Sequence, residues 1–390
     1  MKLKVAIAGG GIGGLAAALA LSHSGQQLEL FEKATAFSEV GAGIQLGPNV
    51  TRILQSWGLL DAIRQVAIAP ECLQVRSAST ASVIGELRLG QAMVERYGAA
   101  YLTLHRADLH AMLLGAVQQT SAVLHTDCAV QSFQQTRQMV SVQTNAGTQQ
   151  LDILIGADGL WSNTRQQLLG DGPPRSTGHL AYRALIKQAD LPELLRSHNV
   201  TAWLGPKMHA VQYPVRGGEW LNVVVFVHGD VPSDFQNWDH SANAADLQAA
   251  LQGSCGALQD VIRTAQDWRL WVMHDRSPLQ SFQQMLQGRV ALLGDAAHPM
   301  RPYLAQGAGM AIEDAAELAL VLNGVTAQNA PAALQQYAAN RWQRNARVQS
   351  RALSNGQIFH AQGPMRWGRD VAMKLMGERL LDMPWLYGQR

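Results

Sequence analysis

Charge is scarce in this chain of 390 residues: Asp, Glu, Lys and Arg make up 15%, against roughly a quarter in an average soluble domain. The 31 basic and 29 acidic residues nearly cancel, leaving a formal net charge of +2. A protein that holds nucleic acid through bulk electrostatics needs a basic excess or stripe, so that class is excluded. Cysteine is scarcer still. Cys72, Cys128 and Cys255 are odd in number and far apart, with no CxxC pair and no Cys/His ligand spacing. This argues against a disulfide framework or a zinc site, predicts no metal, and suits a reducing cytoplasm. Long apolar runs are missing too, and none approaches the roughly 18 residues of a membrane span. The uncharged run Val5–Leu21, behind Met1-Lys2-Leu3-Lys4, imitates a signal peptide. Five of the six residues from Gly9 to Gly14 are glycine, however, which is poor material for an apolar helix. The chain is expected to be soluble and cytoplasmic.

What is plentiful is apolar surface, at 47% of residues, and glycine, at 36 residues. The first is enough to build large cores and too much for a disordered chain. The second shows no collagen period and gathers in a few short loops, so each cluster requires a local reason.

Along the chain, Lys4–Ala8 is a short apolar run stopped by glycine, as in a buried strand. A helix over Gly11–Ser24 and a second strand over Gln27–Phe31 complete a β-α-β unit. Pro48 suits the first turn of a helix ending before Gly58. Arg106–Gln119 is predicted as a helix with Leu109, Leu113 and Val117 on one stripe. Strands follow at Met139–Thr144 and Asp152–Ile155, and Ser162 is placed to cap a helix to Leu169. From Thr201 to Gly229 the pattern turns β-rich, with a strand within Thr201–Val215, a turn at Arg216–Glu219 and a return strand over Leu221–Val227. Val290–Leu293 restores an α/β pattern, Gly307–Leu322 is an Ala-rich helix, and the chain beyond Pro331 is mostly helical.

Gly9, Gly11 and Gly14 form G-x-G-x-x-G between a strand and a helix, with Glu32 ending the next strand. That context turns a weak pattern into a dinucleotide-binding fingerprint. Backbone at Gly11, Ile12 and Gly13 can approach a pyrophosphate at the helix N-terminus, and Glu32 can accept hydrogen bonds from a ribose. A single fingerprint is compatible with FAD or NAD.

Three further segments follow strands or open a helix: Asp158-Gly159-x-x-Ser162-x-x-Arg165, Gly294-Asp295-Ala296-Ala297-His298-Pro299, and Gly307-Ala308-Gly309-Met310. With the fingerprint, in this order, they resemble the single-component FAD-dependent aromatic hydroxylases of the para-hydroxybenzoate hydroxylase class. Gly41–Asn49, His105–His110, Gly205-Pro206-Lys207-Met208-His209 with Tyr213-Pro214, and Trp385–Gly388 are most similar to salicylate, 3-hydroxybenzoate 6- and 6-hydroxynicotinate hydroxylases. The resemblance implies an α/β fold, with a Rossmann-like FAD-binding domain, an interleaved β-sheet substrate domain and C-terminal helices. The FAD-binding part is expected at 1–72, 99–180 and 270–335, the substrate domain at 73–98 and 181–269, and the helical region at 336–390.

The implied cofactor is FAD, with NAD(P)H as cosubstrate and O₂ and a small aromatic acid as reactants; a homodimer is among the expected states. The residues carried over for FAD are Gly9, Gly11, Ile12, Gly13, Gly14, Glu32, Gln45, Arg106, Val130, Asp158, Asp295, Gly307, Ala308, Gly309 and Met310. The helix near Gly309 would aim its dipole at the flavin N1–C2=O edge. Arg165 could pair with phosphates of NAD(P)H or simply be solvated. On a strand, His209 and Tyr213 share a face about 13 Å apart, room for an aromatic ring. His209, Tyr213 and His298 are the catalytic candidates, the first two for handling a phenol proton. In such enzymes the activated phenol attacks the electrophilic oxygen of a C4a-hydroperoxyflavin. Gly41–Gly47 could hinge flavin movement. Arg301 or Arg183 could meet a carboxylate. Pro302 stands where some 3-hydroxybenzoate 6-hydroxylases carry Gln, which puts that substrate in doubt. A reductase or halogenase on the same fold, or a non-catalytic flavin-binding regulator, remains the alternative.

Overall fold

The structure is a computed structural model that describes residues 2–39, 42–229, 240–241 and 244–388. Gly41, the start of the expected hinge, lies outside the described residues. The chain divides into two compact units. One comprises Met1–Val40, Ala107–Arg175 and Asp275–Leu353; the other comprises Gly41–Arg106, Ser176–His274 and Ser354–Arg390. These boundaries depart from those read in the sequence. The first crossing falls at residue 40 instead of 72, because Gly43–Leu46 pairs antiparallel with Leu102–His105 and the Gly43 amide donates to Asn222 Oδ1 at 2.6 Å. The residues after 335 do not stand apart either, since the helix Ala330–Phe359 changes unit at Leu353.

In the first unit, Lys4–Ala8 lies inside a six-stranded sheet ordered 286–287, 290–292, 153–156, 4–8, 27–31, 123–125. Its neighbours Gln27–Phe31 and Ile153–Gly156 both run parallel to it. A strand enclosed by parallel partners is covered on both faces, which is why Val5, Ala6 and Ile7 form an uninterrupted apolar run with no exposure. The helix Ile12–His23 follows, is buried along most of its length and packs against the helix Gly307–Leu322. Gly13 lets that approach happen, since a Cβ there would lie 3.3 Å from Ala311 Cβ. Gly9, with φ +104°, and Gly14, whose Cβ would lie 1.9 Å from the Gly9 carbonyl oxygen, close the tight turn from strand to helix.

The second unit is built on an eight-stranded sheet, mostly antiparallel, ordered 240–241, 269–275, 175–187, 220–228, 208–215, 200–205, 72–77, 83–88. The segment Thr201–Val215 holds a strand as expected, Met208–Val215, and it forms the second arm of a hairpin. Val200–Gly205 and Met208–Val215 pair antiparallel across Pro206 and Lys207, the latter in the left-handed region at φ 55°. Alternation along the strands sorts the side chains. Met208, Ala210, Leu221, Val223 and Val225 pack with Trp203 and with Leu247, Leu258, Val261 and Ile262 of two covering helices. His209, Val211 and Tyr213, opposite Phe226, Val224 and Asn222, face the other way. Among the described residues no helix is long and apolar enough to cross a membrane.

The first unit also buries charge. Asp314, fully buried on the helix Gly307–Leu322, accepts hydrogen bonds from His298 Nε2 at 2.5 Å, Arg341 Nε at 2.7 Å, Asn345 Nδ2 at 3.0 Å and the Gly294 amide at 3.2 Å. His298, a catalytic candidate in the sequence, has no exposure. Its Nε2 is bonded to Asp314 and anchors the loop that follows Val290–Leu292, while its Nδ1 is buried with no hydrogen-bond partner among the described residues. Burial alone would raise the Asp314 pKa, but His298 and Arg341 outweigh it and hold the carboxyl well below the usual carboxylate range. A lowered carboxylate pKa contributes stability that is complete above the unfolded value of about 3.9 and is lost as pH falls below it. Urea unfolding should show Asp314→Asn destabilised by about 3–5 kcal/mol, because it strips the counter-charge from a buried guanidinium. The gap between variant and parent should be constant from neutral pH to about 5 and shrink in more acid solution; a gap that widens there would contradict this role.

Candidate functional site

In the first unit the site is assembled at the carboxyl ends of Lys4–Ala8 and Ile153–Gly156, where the strand order reverses direction. Ligands of open α/β sheets bind at such a switch point. The chain turns there from strand into helix, and the first intrahelical bond is Leu15 N to Gly11 O at 2.9 Å. The amides of Ile12, Gly13 and Gly14 therefore precede the ladder and point outward at the positive end of the helix. His110 Nε2 at 2.8 Å from the Gly10 carbonyl holds the loop from behind. Glu32 sits beside it, with one carboxylate oxygen accepting from the Gly10 amide at 2.7 Å and the other from Ala34 at 2.8 Å. Each oxygen keeps acceptor capacity for a ribose hydroxyl.

Asp158 has a different part from the one expected. Its carboxylate accepts from Ser162 Oγ, from the Thr164 amide at 3.0 Å and from Thr164 Oγ1 at 3.0 Å. It thus shapes the turn that opens the helix Asn163–Leu169, while Ser162 caps that helix as expected by accepting from the Arg165 amide. Arg165 is neither solvated nor available for phosphates. It is 3% exposed, bonds Asp171 through Nε and Nη2 at 2.9 and 2.6 Å, and donates from Nη1 to the carbonyls of Ala296 and Ala297. The Asp158–Arg165 segment and the Gly294–Pro299 loop are therefore one structure. Asp295 is exposed and lies near the start of the helix Gly307–Leu322, where a Cβ on Gly307 would meet Asp295 Oδ1 at 4.0 Å. Met310 turns its side chain into the core, so only its backbone belongs to the site. Val130 begins a strand at a bulge opposite Thr144.

The second unit carries a separate group of polar residues on the sheet face opposite its two covering helices, and this face is buried as well. Tyr213 is 5% exposed, and Gln45, on the strand Gly43–Leu46, accepts from the Tyr101 hydroxyl at 2.7 Å and also interacts with Tyr213. Burial pushes the Tyr213 hydroxyl well above the usual phenol range, with Arg183 pulling the other way. Arg183 lies flat on Trp271, its guanidinium carbon 3.4 Å from the ring centroid. Its Nε is shut off from solvent with no hydrogen-bond partner, and so is Asn222 Nδ2. Burial pushes the Arg183 pKa down to about 9, and the nearby charge of Arg106 adds to this. Arg183 and the unsatisfied Asn222 amide thus share one face, and Arg183 has no paired carboxylate among the described residues. Neither Asn222 nor the Arg183–Trp271 stack was picked out from the sequence. Alternation along Arg175–Lys187 was the available signal for Arg183.

Arg301, the other candidate for a carboxylate, is already spent on Asp275, with both contacts at 2.8 Å. His209 does share a face with Tyr213, but it is 1% exposed, stacked on Phe226, and joined through Nδ1 to His360 Nε2 at 2.7 Å. Burial, then the neighbouring His360 and His179, hold its pKa well below the usual imidazole range.

The nucleotide half meets the demands of FAD. A Cβ on Gly11 would meet only Glu39, at 3.7 Å, and one on Gly159 would meet nothing within 4 Å. Open backbone thus lies beside a positive helix end and a ribose-binding carboxylate. Residues 2–352 match a protein family described as FAD binding domain. The chain is 39% identical to a 3-hydroxybenzoate 6-hydroxylase of Polaromonas naphthalenivorans (strain CJ2), covering 99% of this chain and 96% of that one. It is 35% identical to a 6-hydroxynicotinate 3-monooxygenase of Pseudomonas fluorescens, covering 93% of each. A solved salicylate hydroxylase substrate complex superposes with a TM-score of 0.85 at 29% identity, covering 100% and 96%. The chain belongs to the FAD binding domain family, within its branch of FAD-dependent monooxygenases.

Proposed function

We propose that the protein hydroxylates a small aromatic acid that already bears a ring hydroxyl, of the salicylate, 3-hydroxybenzoate or hydroxynicotinate type, using NAD(P)H and O₂. The observation that carries this reading is Arg183: a guanidinium held flat on Trp271, with its Nε closed to solvent and no carboxylate partner. Arg183 is half-buried with no counter-ion among the described residues, and a ligand carboxylate that completes it recovers charge-assisted hydrogen bonds of about 1.5–3 kcal/mol. The relatives named for 3-hydroxybenzoate and 6-hydroxynicotinate act on rings that carry both groups.

FAD, held by the amides of Ile12, Gly13 and Gly14, by Glu32 and by the start of the helix Gly307–Leu322, supplies the redox and oxygen chemistry. The protein's own part is to orient the ring and its hydroxyl. Arg183 takes the carboxylate. Tyr213 keeps its proton at neutral pH and acts as a hydrogen-bonding partner of the ring hydroxyl, itself held by Gln45. His209 shares that face and offers its other ring nitrogen to the hydroxyl as a hydrogen-bond partner. Burial holds its pKa well below the usual imidazole range, so it positions the ring hydroxyl and does not hold its proton. The three cysteines, all free thiols, match a reducing cytoplasm.

The test is NAD(P)H oxidation by the FAD-loaded protein with a panel of hydroxybenzoates and hydroxypyridine carboxylates. At least one should stimulate turnover, with product matching O₂ consumed; no stimulation by any aromatic acid would overturn the proposal. Arg183→Gln should raise KM for that acid about 10–100-fold, as expected for a lost charged hydrogen bond, and leave a decarboxylated analogue unaffected. Tyr213→Phe and His209→Ala should slow hydroxylation more than flavin reduction in rapid-mixing experiments, and equal slowing would remove their role at the ring hydroxyl.

A further inference from the structure

Three histidines of the second unit that have no part in holding FAD or the aromatic acid come together from three elements. His179 lies on the strand Arg175–Lys187, His228 is its direct cross-strand partner on Trp220–His228, and His360 follows the helix Ala330–Phe359. One ring nitrogen from each lies within 4.8 Å of the other two. The ring centroids are 4.4 Å apart for His179–His228, 5.0 Å for His179–His360 and 4.9 Å for His228–His360.

Nitrogens that share one ion at about 2.1 Å lie no more than about 4.2 Å apart, so a cluster whose nitrogens are within 4.8 Å of one another needs its rings to draw together by a fraction of an ångström to ligate. With a metal–nitrogen bond of about 2.1 Å, imidazole centroids around a common ion lie about 4.5–5.2 Å apart for ligand angles between about 90° and 109°. The nitrogens His228 Nε2 and His360 Nδ1 are already 2.9 Å apart. The outer contact fits as well. His360 Nε2 is 2.7 Å from His209 Nδ1, so a proton on Nε2 donated to His209 makes Nδ1, the nitrogen that faces His228, the one that would ligate. Metal-bound histidines are oriented by such a hydrogen bond from the second nitrogen. His179 and His360 are buried and His228 is exposed, which gives an ion a route in and a place for water as a fourth ligand.

We propose that His179, His228 and His360 bind one divalent transition-metal ion, with zinc the best match to three neutral imidazoles and an open position. The site meets the proposed substrate residues only through the contact of His360 with His209.

The experiment is isothermal titration of the FAD-loaded, tag-free protein with zinc chloride at neutral pH, followed by cobalt(II) substitution read in the visible spectrum. The expected result is one zinc per chain, at least 10-fold weaker binding in His228→Ala and in His179→Ala, and no change in His23→Ala, an exposed histidine of the first unit. Cobalt should give d–d bands of a site with nitrogen ligands, absent from His228→Ala. Because the His228 ring is exposed, its removal leaves the core packed even where His179→Ala fails to fold. Zinc affinity that is unchanged in His228→Ala, or no stoichiometric binding, would overturn the proposal and leave a hydrogen-bonded imidazole cluster.

Discussion

A carboxylate without access to water governs the nucleotide half. Asp314 takes hydrogen bonds from a loop amide, a histidine ring, a guanidinium and an amide side chain, and those four partners come from two separate stretches of sequence, 294–298 and 341–345. Arg165 secures the same loop from its other side through the carbonyls of Ala296 and Ala297. The Gly294–Pro299 segment is therefore fixed at both its donors and its acceptors. Removing Asp314 would leave Gly294, His298 and part of Arg341 to be satisfied inside an interior that contains nothing else to satisfy them. A cofactor site made of backbone needs such fixing, because backbone amides can be aimed only by immobilising the chain that bears them.

The legibility of the chain followed the range of the forces involved. Gly9–Gly14, Glu32 and the strand–helix–strand unit were readable because their logic is local: a turn, a cap and a parallel strand each leave marks within about thirty residues. The Ser162 cap and the helix Gly307–Leu322 were readable for the same reason. His298, Asp158 and Arg165 were singled out by recurrent patterns, but a pattern does not say which way a side chain points. Asp158 binds Ser162 and Thr164 in its own turn, whereas Arg165 and His298 are buried and reach Ala296, Ala297 and Asp314 across the fold. The hairpin within 200–215 was hidden because Pro206 and Lys207 interrupt two runs of the same alternating type. The Arg183–Trp271 stack and the His179–His228–His360 cluster bring together residues dozens to more than a hundred positions apart, and no spacing rule reaches that far.

The two halves also divide the chemistry by type of atom. The first unit offers amides and carbonyls, with its charged side chains neutralised internally. The second offers side chains: a guanidinium, a phenol, an amide and imidazoles on one sheet face. This explains how a near-neutral chain recognises a strongly anionic cofactor, for dipoles at a helix end act locally and require no broad basic field. It also explains why charge scarcity in composition coexists with several fully buried ions.

The indole beneath Arg183 has one more consequence. A lysine in that position would draw in an acid from any side, since an ammonium attracts without direction. A guanidinium pressed flat against a ring has its plane chosen before a ligand arrives, and a carboxylate that pairs with it edge-on inherits that plane. Selection among isomeric aromatic acids would then be a matter of angle: the same two substituents, set at a different bearing around the ring, would carry the reactive carbon elsewhere.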